Sequence, residues 1–296
     1  MKTIGLVGVG AMGEPIGATL LRAGMTLRIC AHRRRERVDR LIAAGAVEAS
    51  DPAAVADGCD VLIMALPDSP QVEEALFGSR GAAPSLRRGS YVIDMSTISP
   101  VASRDFHKRL AERGVAMIDA PVSGGPARAA DGTLAIMAGG EPESYAACEP
   151  ILRLLGTPTR VGPPGMGETV KLVNQIIISS VMIANIEGML FAKKAGADID
   201  LVRRVIGSAT GSNYILEKWL PQTWFAGSHK GGFALDLLRK DLNAALKAAE
   251  TMGLSMVLST CAAQRYGEAA RDGLGADDYS AVAVPYERAA GVNITD

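Results

Sequence analysis

The stretch from Pro164 to Gly196 constrains this chain more than any other. Its Pro/Gly-rich opening, Gly162 to Gly167, reads as a loop ending at a helix start. Gly196 stops the helix, with Lys193 and Lys194 in the last turn, where the backbone dipole favours cations. Roughly 28 residues without proline lie between, a helix of about 42 Å at 1.5 Å per residue. Val170, Leu172, Val173, Ile176, Ile177, Ile178, Val181, Met182, Ile183, Ile186, Met189 and Leu190 spread apolar character over nearly every side. Such a helix is expected to be buried all round. Asn174, Gln175, Ser179, Ser180, Asn185 and Glu187 interrupt the run and speak against a membrane span.

Lys171 sits near the start of this helix, with Asn174 at i+3 and Gln175 at i+4 on the same face. A lysine in low-dielectric surroundings loses part of its preference for charge, which makes it a usable proton carrier near neutral pH. Taken alone, the stretch favours a plainer reading, a lysine snorkelling off a helix end.

Ahead of the helix the chain alternates strand and helix patterns. Apolar strand runs are expected at 3–9, 27–31, 60–67, 90–95, 115–120, 133–138 and 158–161, with a helical stretch over 143–155. Beyond it no strand pattern recurs, and 199–209, 214–219, 234–251, 257–271 and 278–290 read as helices. With 296 residues, about two domains of 100–200 residues are expected. The expected architecture is α/β: a Rossmann-type doubly wound sheet over 1–163, then an all-α domain over 164–296, joined by the long helix.

The first strand run leads into Gly8-Val9-Gly10-Ala11-Met12-Gly13 and then a helical pattern through Ile16, Leu20 and Leu21. In that context the first glycine makes the tight turn and the second lets a pyrophosphate approach the backbone. The third lets helix pack on strand, with the helix N-terminus facing the phosphates. Gly8, Gly10, Ala11, Met12 and Gly13 are therefore candidate cofactor contacts. At the end of the second strand run, an acidic residue would hold the ribose 2′-hydroxyl of NAD. His32, Arg33, Arg34 and Arg35 stand there instead, and a guanidinium suits a 2′-phosphate. The sequence predicts NADP(H) ahead of NAD(H), against the alternative of a solvated basic turn. Leu66 and Pro67, at the carboxyl end of the third apolar run, and Ser96 and Thr97, at the end of the next, lie on the cofactor side of such a sheet. Capping alone also explains those two hydroxyls. Ser99 is a candidate N-cap, with Pro100 in the first turn. Ser123-Gly124-Gly125 exposes backbone N–H groups and a hydroxyl, suited to a carboxylate, or is simply a turn.

Other classes are disfavoured. A net charge of -1 gives no field for nucleic acid or anionic lipid, and 4% aromatics leaves few platforms for bases. Cys30, Cys59, Cys148 and Cys261 are scattered and read as small buried residues in a reducing compartment. The three histidines show no metal spacing, and no metal is expected. Met1-Lys2-Thr3 runs straight into the first strand, so no signal peptide and a cytoplasmic protein are expected.

Gly8 to Gly13, Asp119-Ala120-Pro121-Val122-Ser123-Gly124-Gly125, Gly165 to Lys171 with Asn174 and Gln175, and Lys240-Asp241 occur together in one order. In this combination the whole chain resembles the β-hydroxyacid dehydrogenase family, which includes 3-hydroxyisobutyrate dehydrogenases and tartronate semialdehyde reductases. The resemblance implies Lys171 as the catalytic acid and base. It implies that Ser123, Gly124 and Gly125 hold the substrate carboxylate and that Asn174 or Gln175 orients the substrate. Lys240 is implied at the nicotinamide end of the cofactor. Many relatives carry a second Asn where Gln175 stands; Gln175 and the segment 272–280 resemble the tartronate semialdehyde reductase side more. Relatives using NADP often carry Asn-Arg-Thr where this chain has Ala31-His32-Arg33, a departure from the pattern. A homodimer or homotetramer is expected from the apolar helical half. Substrate choice is expected around Asn213, Tyr214 and Trp219. Rival readings are a reductase of succinic or glyoxylic semialdehyde or of an imine, a non-catalytic dinucleotide-binding module, and a Schiff-base enzyme using Lys171.

Overall fold

The computed structural model describes residues 2–31, 35–230 and 232–296, which fall into two compact units, Met1–Lys171 and Leu172–Asp296. Its strands are β1 (Thr3–Val7), β2 (Thr26–Cys30), β3 (Val47–Ala49), β4 (Val61–Met64), β5 (Tyr91–Asp94), β6 (Ala116–Asp119), β7 (Val122–Ser123), β8 (Leu134–Gly139) and β9 (Gly156–Gly162). The helices are α1 (Gly13–Arg22), α2 (Arg35–Ala43), α3 (Pro52–Ala56), α4 (Ser69–Phe77), α5 (Pro100–Ala111), α6 (Gly125–Asp131), α7 (Pro142–Leu155), α8 (Met166–Lys194), α9 (Ile199–Gly207), α10 (Leu235–Thr251), α11 (Val257–Ala269) and α12 (Ala283–Ala290).

The sheet runs β3-β2-β1-β4-β5-β6-β8-β7, with β9 paired to β8. Pairing is parallel from β3 through β6 and turns antiparallel where β6 meets β8. Alternate side chains on each strand enter separate cores, as a period of two dictates. Ile4, Leu6, Ile29, Ile63, Ile93 and Ile118 pack with α1, α2, α6 and α7. Val7, Leu62, Met64, Val92 and Met117 pack with α3, α4 and α5 on the opposite face. Both faces are therefore covered, which is why these strands read as continuous apolar runs. Helix starts follow the expected chemistry: Ser99 Oγ accepts from Val101 N, with Pro100 in the first turn, and Asp51 caps α3 in the same way.

One buried carboxylate fixes where α8 begins. Asp119 ends β6 and is fully buried. Its Oδ1 accepts from Gly165 N at 2.9 Å and its Oδ2 from Glu168 N at 3.0 Å. His107, on α5, donates through Nδ1 to Ser103 O and holds Nε2 3.5 Å from Asp119 Oδ1. Glu168, also buried, accepts from Ile98 N at 3.0 Å. Glycines make the close approach possible: a Cβ on Gly167 would stand 2.4 Å from Met137 O, and one on Gly139 2.6 Å from Asp119 Oδ2. Burial raises the Asp119 pKa, opposed by the Gly165 N–H and by His107.

The second unit contains no strand among its described residues. Met182, Ile186 and Leu190 of α8 pack with Leu220, Trp224, Leu238, Leu242 and Tyr266. Two segments differ from the expected regular helices. Ile215–Trp219 is a wide π-helical turn, opened by Asn213 Oδ1 accepting from Leu216 N. The helix expected to run to Arg271 closes at Ala269 and continues as another wide turn holding Gly273 at φ 88°. The α8 helix is not buried all round as its composition implies: 39% of its most apolar window is buried, and Val173, Ile177 and Phe191 are exposed. By length and composition alone α8 could cross a membrane, a test that the core helix of a soluble protein also passes. Three of the cysteines are buried as expected, but Cys261 is exposed. Burial pushes the Cys30 and Cys59 thiols up to about 11 and Cys148 up to about 12.

Asp119→Ala leaves the Gly165 and Glu168 N–H groups without their acceptor. It should cost about 1–3 kcal/mol for each orphaned donor, read as a lowered unfolding midpoint in urea.

Candidate active site at the carboxyl edge of the sheet

Parallel pairing puts the carboxyl ends of β1, β4, β5 and β6 along one edge. The residues following those ends are the ones singled out in the sequence: Gly8 after β1, Leu66 and Pro67 after β4, Ser96 and Thr97 after β5, and Ser123 to Gly125 after β6. The first turns of α8 are pinned to the same end of β6 by Asp119, and Lys171 lies on the second of those turns. Crevices outside strand carboxyl ends are where open α/β sheets take ligands.

The glycine turn fits a dinucleotide. Gly8 has φ 102°, and a Cβ there would stand 2.4 Å from Ala65 O. A Cβ on Gly13 would collide with Gly8 O at 1.9 Å, so the helix start must pack this tightly against the strand end. Gly10 differs: a Cβ there would meet no atom of the described residues within 4 Å. Its missing side chain is not needed for packing, and it leaves room for a ligand against the backbone. Among the described residues no side chain caps α1 at Met12, which leaves its first N–H groups for a ligand. A shallow cavity of about 350 Å³ lined by Ala11, Glu14, Pro15, Ala18, Arg37 and Pro126 opens beside it.

Other sequence candidates fall into place unevenly. Ser96 is buried; its Oγ accepts from Leu66 N at 2.9 Å and its own N–H donates to Asp94 at 3.0 Å, so it ties the β4 and β5 ends together. Thr97 is half-buried and Pro67 exposed. His32, Arg33 and Arg34 lie outside the described residues. The arginines that follow are held by carboxylates: Arg35 by Asp39 and Glu48, Arg40 and Arg37 by Glu14. Arg40, aided by Arg37, holds the Glu14 carboxyl below its ordinary range.

Ser123 pairs with Ala135 across the short β7–β8 ladder. Gly124 and Gly125 follow at φ 131° and 70°, conformations that side chains resist, so the turn needs both glycines. Lys171 is buried, 7% exposed. In the helical unit, Gln175 is buried and donates to Asp241 at 2.8 Å, while Asn174 is half-buried and donates to Gln175 at 2.9 Å. Lys240 pairs with Asp241 at 2.7 Å. Asn213 exchanges two hydrogen bonds with Asn185, and Trp219 donates to buried Asp278, so both serve the local fold; Tyr214 is exposed. Among the described residues no cluster of three or more His, Cys, Asp or Glu could hold a metal.

Sequence reasoning did not single out Asp119, Glu168 and His107, which seat the start of α8, or Asp241, which engages Gln175. Asp119, Glu168 and Asp241 belong to the sequence motifs, but their partners are 46, 70 and 66 residues away in the chain.

Because none of the described residues occupies the space beside Gly10, Gly10→Ala should leave the melting temperature unchanged. It should weaken dinucleotide binding at least about tenfold, measured by fluorescence titration with NADPH and NADH.

Comparison with known proteins agrees with this geometry. Residues 3–167 match the family model described as the NAD binding domain of 6-phosphogluconate dehydrogenase. Residues 165–286 match the model described as NAD-binding of NADP-dependent 3-hydroxyisobutyrate dehydrogenase. The chain is 36% identical over 280 residues to the 2-hydroxy-3-oxopropionate reductase of Escherichia coli, covering 94% of this chain and 95% of that one. The Mycobacterium tuberculosis 3-hydroxyisobutyrate dehydrogenase, solved with L-serine, superposes with a TM-score of 0.90 at 29% identity over 97% of this chain and 99% of that one. Psf3, solved with NADP+ and 2-OPP, gives a TM-score of 0.86 at 28% identity over 96% of this chain and 100% of that one. With two family models covering nearly its whole length and a glycine turn shaped for a dinucleotide, the chain belongs to the β-hydroxyacid dehydrogenase family of NAD(P)-dependent oxidoreductases.

Proposed function

We propose that this protein transfers a hydride between NADP(H) and a small 3-hydroxy acid or the corresponding semialdehyde bearing a free carboxylate, with Lys171 as the general acid and base. The observation that carries the reading is the gathering of the glycine turn, the Ser123-Gly124-Gly125 turn and the Lys171 end of α8 at one edge of the sheet. The similarity to 2-hydroxy-3-oxopropionate reductase supports a substrate of that size and charge.

The nicotinamide supplies or accepts the hydride when the cofactor is bound. Gly8, Gly10, Ala11, Met12 and Gly13 would take its pyrophosphate, Leu66, Pro67 and Thr97 would flank it, and Lys240 is assigned to its nicotinamide end. Arg33 and Arg34, with His32, would meet the 2′-phosphate, since the arginines beyond them are already engaged by carboxylates. Ser123 Oγ and the Gly124 and Gly125 N–H groups hold the substrate carboxylate and so orient the reacting carbon. In reduction the Lys171 ammonium gives a proton to the carbonyl oxygen; in oxidation the neutral amine takes the hydroxyl proton. The exposed Val173, Ile177 and Phe191 on α8 support self-association as a homodimer or homotetramer.

Lys171→Ala should keep its affinity for NADPH and lose turnover by about 10²–10⁴. Near-normal kcat in that variant would overturn the role of Lys171. With the unmodified protein and a panel of small carboxylate semialdehydes, kcat/KM should be higher with NADPH than with NADH. Equal values for the two cofactors would remove the NADP(H) preference.

A further inference from the structure

Asp241 lies on α10 and is buried. One of its oxygens takes the Lys240 ammonium at 2.7 Å, and the other accepts from Gln175 Nε2 at 2.8 Å. Gln175 Oε1 in turn accepts from Asn174 Nδ2 at 2.9 Å. Carboxamides look nearly the same when rotated by half a turn, so something must decide which end faces where. A carboxylate can only accept, so Gln175 must offer Asp241 its nitrogen. Its oxygen then faces Asn174, which must answer with nitrogen. The direction of two amides is thus set by one charge. Asn174 is left with its oxygen turned away from Gln175, three residues after Lys171, the spacing that shares a helix face.

We propose that Asp241 is a positioning residue that acts through Gln175, holding the Asn174 oxygen outward as an acceptor for a substrate hydroxyl beside the one that reacts. The substrate class favoured is then a semialdehyde carboxylate that carries a hydroxyl on its middle carbon, ahead of one with a methyl group there. This rests on the proposed role of Lys171 and goes beyond it. Lys171 moves the proton for either substrate, whereas the relay discriminates between them.

The test uses 2-hydroxy-3-oxopropionate and 2-methyl-3-oxopropionate, which differ by a hydroxyl in place of a methyl, with NADPH. The unmodified protein should favour the hydroxylated substrate by about tenfold or more in kcat/KM, the scale of one added hydrogen bond. In Asp241→Asn nothing compels Gln175 to keep its direction, and the preference, a ratio taken with the same cofactor, should fall toward unity. Adding Gln175→Glu to Asp241→Asn moves the acceptor-only group one step along the relay and should restore the preference. A merely structural role for Asp241 would lower the melting temperature without moving that ratio. The proposal is overturned if Asp241→Asn keeps the full preference, or if the folded double variant remains as indiscriminate as Asp241→Asn. Should the double variant not fold, Asn174→Ala decides: it should abolish the preference, and adding Asp241→Asn to it should change the ratio no further, any further fall overturning the relay. An unmodified protein active on both substrates without preference would sink the relay alone, and one inactive on both would sink the proposed function with it.

Discussion

The grip of Asp119 on the first turn of α8 is the contact on which the rest depends. A buried carboxylate costs free energy unless its oxygens are satisfied, and here the two backbone N–H groups of a helix start supply that satisfaction. Those same N–H groups have no partner within their own helix, so each side of the contact completes the other. The negative charge also sits at the positive end of the α8 dipole. Because Asp119 closes β6, the helix that carries Lys171 is registered to the strand that leads on to Ser123. Two of the proposed functional groups therefore share one structural origin.

The sheet unit was largely legible in the sequence because its signals are local. Long apolar runs such as Val61–Met64 mark strands buried on both faces, and Ser99 with Pro100 marks a helix start within two residues. What escaped was short or distant. Val47–Ala49 and Val122–Ser123 are too brief to show a period of two, although both join the sheet. The Asp119 and Asp241 contacts join residues dozens of positions apart, which no window of sequence reveals. Ile215–Trp219 carries helical residues, but the cyclic pair of Asn185 and Asn213 sets its start and the turn widens.

Charge after β2 shows the same division. The cluster of arginines was plain to read, yet its meaning depends on which of them are already occupied. Arg35, Arg37 and Arg40 meet Glu14, Asp39 and Glu48, pairs that are mostly exposed and individually weak. Sequence counts cations; folding subtracts those that neighbouring acids hold. Likewise, the apolar circumference of α8 was visible, but not that several of its side chains stay uncovered within one chain.

The thiols carry a practical consequence. Cys30, Cys59 and Cys148 are shielded, and burial keeps them protonated well beyond neutral pH, so they offer no thiolate to an electrophile. Cys261, on α11, is the one that faces water. A maleimide dye added to the native protein would therefore settle on a single helix of the all-α unit, giving a site-specific optical label without any engineered cysteine.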